Sequence, residues 1–192
     1  NLSKAIQVSS DTFFYRLGFE MGIERLHPYL AHFGFGKPTG IDLPNEYRGV
    51  LPSPAWKEKR FAKLKPERRR WNSAEVVPVS IGQGYNAYTP LQMAHATATL
   101  ANEGTAYRPH LVKELLDHNN QKITVLDPKP SEILPFKQKN FEYIKAAMAK
   151  VLRPGGTARR VGAGLKYSMG GKTGTAQVVQ IAQGKSYNAA AL

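Results

Sequence analysis

The chain has 192 residues, of which 42% are apolar and 10% aromatic, and its formal net charge is +13. This length and composition are typical of a folded globular domain and argue against intrinsic disorder. No apolar run approaches 18 residues, and the absence of cysteine excludes disulfide bonds and thiolate metal sites. The five histidines show no metal-ligand spacing, so we predict no metal and no cofactor.

The first part of the chain predicts helices. Asp11 or Thr12 is expected to cap a helix that runs towards residue 18, and a second helix is expected from about Ile23 to His32. Residues 41–43 predict a short extended strand. Residues 44–75 are rich in proline and lysine and predict an irregular excursion over the surface.

The later part alternates between helix and strand signals. Pro90 is expected in the first turn of a helix over residues 91–102. A hairpin is expected around residues 119–120, joining strands at 111–116 and 123–126. Apolar residues at helical spacing predict a long amphipathic helix over 136–152. Residues 170–180 are expected to form a strand that carries chemistry.

The basic stretch 57–70 holds eight basic residues against two acidic ones. Three interpretations remain open: a solvated and mobile loop, a nucleic-acid surface, or a surface that faces anionic lipid or polymer. Trp56, Phe61 and Trp71 interleave the charges and mildly favour a binding surface, because aromatic rings can stack on bases. No nucleic-acid-binding motif accompanies them. The solvated loop is therefore the favoured interpretation.

The run Lys172-Thr173-Gly174-Thr175 is the first of two motifs with candidate chemistry. Lys172 supplies a cation, while the threonine hydroxyls and nearby N–H groups can bind a carboxylate or a developing oxyanion. Gly174 has no side chain, so a substrate can lie directly against the backbone. The structural alternative is a glycine-containing strand with a solvated lysine.

The second motif is Ser9 and Asp11, at a boundary between two predicted helices. A serine and an aspartate at this spacing could simply cap the following helix. In the functional interpretation both side chains lie in a cleft opposite Lys172. Neither motif is decisive alone, and the amino-acid sequence between them distinguishes the two interpretations.

Three further segments resemble class B penicillin-binding proteins, namely Thr39–Glu46, Ser80–Gly84 with Thr89–Ala94, and Gly171–Gln177. The resemblance covers almost the whole chain. Most of these enzymes have Asn at the position of Asp11, and an Asp there is similar to the elongation-type, penicillin-binding protein 2 subgroup. It implies an α/β fold of the α+β type, in which helices flank a mostly antiparallel sheet. It also implies that residues 1–192 are part of a single transpeptidase domain truncated at both ends.

The activity implied by this resemblance is serine acyl transfer on D-Ala–D-Ala stem peptides, a peptidoglycan D,D-transpeptidase reaction in cell-wall elongation. Implied partners are the peptidoglycan stem peptide, β-lactam antibiotics and membrane proteins of the elongation machinery, with no nucleic acid. The implied location is the periplasmic face of a bacterial inner membrane. A β-lactamase or D,D-carboxypeptidase of the same fold, and a non-catalytic penicillin-binding sensor, remain alternatives.

The resemblance also implies residue roles. Ser9 would relay a proton, Asp11 would orient the substrate amide or a lysine, and Lys172 would supply positive potential and bond Ser9. Thr173 and Thr175 would bind the terminal carboxylate, and the Thr175 N–H would form half of an oxyanion hole.

The chain departs from the family in one respect. In these enzymes the serine nucleophile belongs to an S-x-x-K motif. No serine of this sequence has a lysine three residues later. The nucleophile is therefore expected upstream of Asn1. Ser10 has no neighbouring base and is not expected to replace it, and residues 82–84 are expected to form a structural turn near the cleft.

Overall fold

A computed structural model describes residues 1–176, which form helices and two small antiparallel sheets. The elements in chain order are α1 (Leu2–Val8), α2 (Asp11–Met21), α3 (Ile23–His32), α4 (Pro54–Arg60), α5 (Pro66–Arg69), a 3₁₀ turn (Ser73–Glu75), α6 (Val76–Val79), α7 (Pro90–Ala101), β1 (Thr105–Tyr107), β2 (Glu114–Leu116), β3 (Lys122–Val125), β4 (Pro130–Ile133), α8 (Gln138–Val151) and α9 (Arg159–Gly162). Strand β1 pairs with β4, and β2 pairs with β3. Helices with antiparallel pairs agree with the predicted α/β fold of the α+β type.

Helix α8 is the scaffold on which α1 rests. Ile6 of α1 packs against Ala147, Val151 and Leu152, and all four are buried. These positions recur at helical spacing along α8, so one apolar stripe of the helix faces the core. Burial of each larger side chain stabilises the fold by roughly 1.5–3 kcal/mol.

Helix α8 begins later than predicted, at Gln138. Phe136 lies outside the helix and stacks on Tyr29 of α3, with the ring centroids 4.6 Å apart. Phe136, which fitted the helical spacing of α8, therefore packs against α3 instead of extending α8. The contact joins α3 to the start of α8.

A second cluster joins α3 to α6. Ile23, Val76 and Val79 form its buried centre. Helix α2 crosses close to this region at Gly18, where an added Cβ would lie only 2.3 Å from the Ser80 Cβ. The absence of a side chain at Gly18 therefore allows α2 to approach the turn that follows α6.

Helix α7 follows its sequence signals. Thr89 accepts from the Gln92 N–H, and the Gln92 Oε1 accepts from the Thr89 N–H, which completes a capping box. The fully buried Gln92 amide also donates to the carbonyl oxygens of Lys37 and Arg48, each at 2.9 Å. One side chain thus caps α7 and fixes the segment that precedes α4.

Residues 41–43 do not form the predicted strand. The Asp42 carboxylate instead accepts N–H bonds from Leu111 and Val112, the shortest at 2.9 Å. These side-chain bonds replace the backbone pairing that a strand would need. The sequence did not predict β1 and β4, which pair with each other across the segment that contains the hairpin and so have no turn signal between them.

The predicted cap of α2 is also wrong. Ser10 occupies the N-cap position and makes no side-chain cap bond, while Asp11 is the first helical residue. The Ser10 hydroxyl instead lies 3.2 Å from the Thr12 hydroxyl. Asp11 is therefore free of a capping role and stays exposed.

The basic excursion contains more structure than predicted, since α4 and α5 both lie within it. Lys57 is only 5% exposed, because its ammonium group bonds both oxygens of the Glu75 carboxylate, at 2.6 and 2.7 Å. Ion pairing offsets the desolvation that makes a lone buried lysine costly. The expectation of a wholly solvated loop is therefore wrong at Lys57, although most of the neighbouring cations are exposed.

The predicted strand 170–180 is described only as far as residue 176. Residues 170–176 belong to no strand within the described part of the chain, and 177–180 lie outside it. A strand is defined by backbone pairing with a neighbour, and no described segment pairs with this one.

Candidate active site

Ser9 lies at the junction of α1 and α2 in an uncommon backbone conformation. It is the C-cap of α1, with φ 55° and ψ 56°, in the left-handed region that residues with a side chain seldom adopt. The Lys172 ammonium group donates to the Ser9 hydroxyl oxygen over 2.5 Å. A bent helix junction therefore presents a hydroxyl directly to a lysine 163 residues away in sequence.

Helix α8 positions the segment that carries this lysine. The Gly171 N–H donates to the Met148 carbonyl oxygen at 3.2 Å. The Thr173 hydroxyl lies 2.9 Å from that of Thr157, in the turn between α8 and α9. Because α1 packs on the same helix, α8 supports both partners of the Ser9–Lys172 bond.

The opposite wall is the turn after α6. Gln83 donates from Nε2 to the Thr175 carbonyl oxygen at 2.8 Å. The Ser80 hydroxyl donates to the Val77 carbonyl oxygen at 2.7 Å, which holds the turn closed. The predicted turn over residues 82–84 therefore lies at the cleft. Its Gln83 also bonds the segment that carries Lys172.

These walls enclose an open cleft of about 490 Å³. All six residues proposed from the sequence line it, namely Ser9, Asp11, Lys172, Thr173, Gly174 and Thr175. Sequence reasoning did not assign Phe14, Ser80, Ile81 and Gln83 to the lining. Phe14 follows Asp11 by three residues in α2, and that spacing places the two on one helix face.

Lys172 is the electrostatic centre of the cleft. Partial burial lowers the pKa of its ammonium group below the ordinary lysine value, although the nearby Asp11 carboxylate opposes this effect. The proton on Lys172 is therefore held less tightly than on a solvated lysine. Thr173, Gly174 and Thr175 are exposed, and nothing lies within 4 Å of a Cβ added at Gly174.

The arrangement combines a bonded Ser–Lys pair with an open binding wall. The wall can accommodate an extended ligand, and the ammonium group can stabilise negative charge on it. Among residues 1–176, no group of three or more histidine, aspartate or glutamate side chains is placed to hold a metal ion. The cation and the neighbouring hydroxyls therefore suit the site to binding an anionic ligand.

The penicillin-binding protein transpeptidase domain matches residues 1–191 of the chain. The chain belongs to this family. It is 42% identical to the peptidoglycan D,D-transpeptidase MrdA of Acinetobacter baumannii, covering 100% of the chain and 27% of that relative. It is 37% identical to MrdA of Escherichia coli K12, covering 98% of the chain and 29% of that relative. The chain thus spans less than a third of these curated relatives.

Solved structures agree. Penicillin-binding protein 2 of Pseudomonas aeruginosa, in complex with WCK 5153, is 39% identical with a TM-score of 0.77, covering 93% of this chain and 38% of that one. Penicillin-binding protein 2 of Helicobacter pylori, in a complex with MreC, is 36% identical with a TM-score of 0.76 and covers 93% and 31%. The likeness therefore extends from the sequence motifs to the fold.

Proposed function

We propose that the protein is a peptidoglycan D,D-transpeptidase of cell-wall elongation, which transfers the acyl group of a D-Ala–D-Ala stem peptide to an acceptor amine. The observation that carries this proposal is the 2.5 Å bond from Lys172 to Ser9 inside an open cleft. Similarity to two MrdA transpeptidases supports the same reaction. No serine of the sequence has a lysine three residues later, so the proposal assigns the attacking step to a serine–lysine pair other than Ser9 and Lys172.

Ser9 acts as the proton relay. Its oxygen accepts from Lys172, so its own O–H proton can pass to the leaving D-Ala nitrogen when the acyl–enzyme forms, and the proton released by the attacking serine replaces it. In the second half-reaction the acceptor amine returns a proton by the same route. Asp11 is exposed at the same cleft and orients the substrate amide.

The segment 172–175 binds the substrate. Lys172, with the hydroxyls of Thr173 and Thr175, binds the terminal carboxylate, and the open space beside Gly174 admits the peptide backbone. The Thr175 N–H contributes to the oxyanion hole. Such donors are most effective when they are fixed before the reaction, and the bond from Gln83 to Thr175 fixes this backbone.

β-Lactam antibiotics are proposed to acylate the attacking serine, which is not Ser9. The elongation machinery is proposed to supply membrane-protein partners. The complex of a similar penicillin-binding protein 2 with MreC supports the second point. The proposed location is the periplasmic face of the bacterial inner membrane. Within residues 1–176, no helix has both the length and the apolar character needed to cross a bilayer.

The test is covalent labelling of the intact protein with a fluorescent penicillin. Lys172→Ala should slow labelling by about 10²–10³-fold, because it removes positive charge from the site of the developing oxyanion. The exposed Lys139→Ala on α8 is the matched control and should label normally. Equal labelling of both variants would contradict the assignment.

A second assay separates transfer from hydrolysis. With a donor stem peptide and a D-amino acid acceptor, the main product should carry the acceptor amine. Release of free acid as the main product would instead identify a carboxypeptidase or a β-lactamase.

A further inference from the structure

A second cleft lies on the other side of the turn that bounds the candidate active site. It has a volume of about 370 Å³, and its walls include Phe61, Leu64 and Tyr85. Gln83 lines the first cleft and Tyr85, two residues later, lines the second. The two clefts are therefore adjacent, with one short turn between them.

The floor of this second cleft is fixed and electrically balanced. Lys57 donates to both oxygens of Glu75 and to the Arg70 carbonyl oxygen at 2.8 Å, which uses all three of its N–H donors. The Tyr85 hydroxyl donates to Glu75 at 3.0 Å. The charge of Lys57 is thus neutralised within the protein and contributes little to the outer surface.

The rim, in contrast, carries uncompensated positive charge. Seven cations and two carboxylates remain over residues 58–70 once Lys57 is set aside. None of these cations forms an ion pair with another residue of the described chain. Those exposed are Lys59, Arg60, Lys63, Lys65, Arg68 and Arg70. Of these charged residues Glu67, Arg68 and Arg70 line the cleft, and the other exposed cations lie in the same stretch of chain around it. The net charge of the cleft and its surroundings is therefore positive and attracts an anionic ligand.

The contacts of the aromatic residues restrict the kind of partner. The rings of Trp56, Phe61 and Trp71 all lie within 6.2 Å of the Tyr85 ring, between centroids. They are held against one another and are not free platforms for stacked bases. Leu64, at 43% exposed, is the large apolar side chain that the rim presents, which is little area for insertion into a lipid surface.

Arg68 and Arg70 both line this cleft, and each carries a guanidinium group. Their planar forks match carboxylates, which they bind through two parallel hydrogen bonds. Peptidoglycan strands carry carboxylates on every stem peptide, so a strand that enters the active site presents further carboxylates to an adjacent surface.

We propose that this basic cleft is a docking site for the carboxylate-bearing peptidoglycan strand whose stem peptide enters the adjacent active site. The inference rests on the proposed function and extends it, because it assigns recognition of the polymer to residues outside the reacting cleft. Small β-lactams do not reach this cleft, so acylation of the protein by β-lactams is independent of it.

The test compares two double variants of the intact protein. Arg68→Glu with Arg70→Glu reverses charge at the cleft, and Lys129→Glu with Lys139→Glu makes the same change at exposed positions that line neither cleft. Each variant is assayed for binding to soluble uncrosslinked peptidoglycan strands at low and high salt, and for the rate of β-lactam acylation. Thermal unfolding of each variant confirms that it folds.

The arginine variant should bind strands about tenfold more weakly or worse, with a smaller dependence on salt. The lysine control should bind like the parent protein, and acylation should be unchanged in both. Strands whose carboxylates have been amidated should bind the parent as weakly as native strands bind the arginine variant.

Unchanged strand binding by the arginine variant, or an equal loss in the lysine control, would overturn the proposal. Preferential binding to phosphatidylglycerol vesicles over strands would also overturn it and assign the cleft to lipid. A parent protein that binds strands through these arginines but is never acylated would remove the proposed function and leave the docking site standing.

Discussion

The segment 170–176 and the basic excursion 44–75 show opposite relations between sequence and order. The first was predicted to carry the chemistry of the site and belongs to no helix or strand in the described chain, yet individual side-chain bonds hold it in place. The second was expected to be irregular, yet it folds into two short helices around a buried ion pair. Chemical content and local order are therefore separate properties of a segment, and each must be tested separately.

The largest expected effect is loss of the ion pair that orders the excursion. Lys57→Met should lower the free energy of unfolding by about 3–5 kcal/mol, because it leaves the Glu75 carboxylate without its partner in a mostly buried site. Lys59→Met, at an exposed neighbour, should change it by less than about 0.5 kcal/mol. Denaturant unfolding measures both, and equal values would show that the pair does not order the excursion.

The same pair predicts a pH dependence. Burial raises the pKa of the Glu75 carboxyl, but bonds from Lys57, Asn72 and Tyr85 outweigh burial, and the net pKa lies below the ordinary value. The contribution of Glu75 to stability is therefore complete above the unfolded-state pKa and is lost as pH falls through the lowered folded-state pKa. Unfolding measured between neutral and acidic pH should show this loss in the parent and not in Glu75→Gln.

The functional segment has its own pH dependence, in the opposite direction. Because the pKa of Lys172 is lowered by burial, its charge disappears as pH rises through a value below that of an ordinary lysine. Acylation by a β-lactam in the intact protein should decline on this alkaline limb. Lys172→Arg keeps its charge throughout and should lose the limb, whatever its absolute rate. A limb that is identical in both proteins would assign it to another group.

A smaller effect is expected where α2 meets the active-site turn. Gly18→Ala should cost about 1–3 kcal/mol in unfolding free energy, because the new methyl group overlaps Ser80. The added change Ser80→Gly should restore most of it. Gly174→Ala meets no atom within 4 Å and should leave stability unchanged while it slows acylation. A stable Gly18→Ala protein would show that the two elements separate freely.

The smallest effect concerns the bonds that hold segment 170–176. Gln83→Met and Thr157→Val keep side-chain volume but remove one hydrogen bond each. Each should slow acylation by about two- to tenfold, which corresponds to the roughly 0.5–1.5 kcal/mol net value of a hydrogen bond. Hydrogen exchange of residues 171–176 should rise in parallel, whereas Gln121→Met on the exposed hairpin should alter neither quantity.

The sequence predicted those features that depend on nearby residues. The position of Pro90 in the first turn of α7 and the bounds of α3 follow from signals within four residues, and both are confirmed. The six site residues were found through family motifs, and the structure brings them to one cleft. Lys57 was misassigned because its partner Glu75 lies 18 residues away and only tertiary folding unites them.

Gln83 illustrates the same limit at the active site. Its motif indicated a turn, but its bond to Thr175 spans 92 residues and has no local signature. Asp42 likewise accepts from backbone N–H groups about 70 residues away, which removed a strand that its neighbours alone predicted. Long-range side-chain bonds to backbone therefore account for several of the differences between expectation and structure.

The left-handed backbone of Ser9 sets stability and activity in conflict at one position. A glycine there would adopt φ 55° without strain, so a screen for thermal resistance alone would favour Ser9→Gly. The same change would delete the hydroxyl that Lys172 contacts. A selection for growth should therefore retain serine at this position, although its backbone is strained.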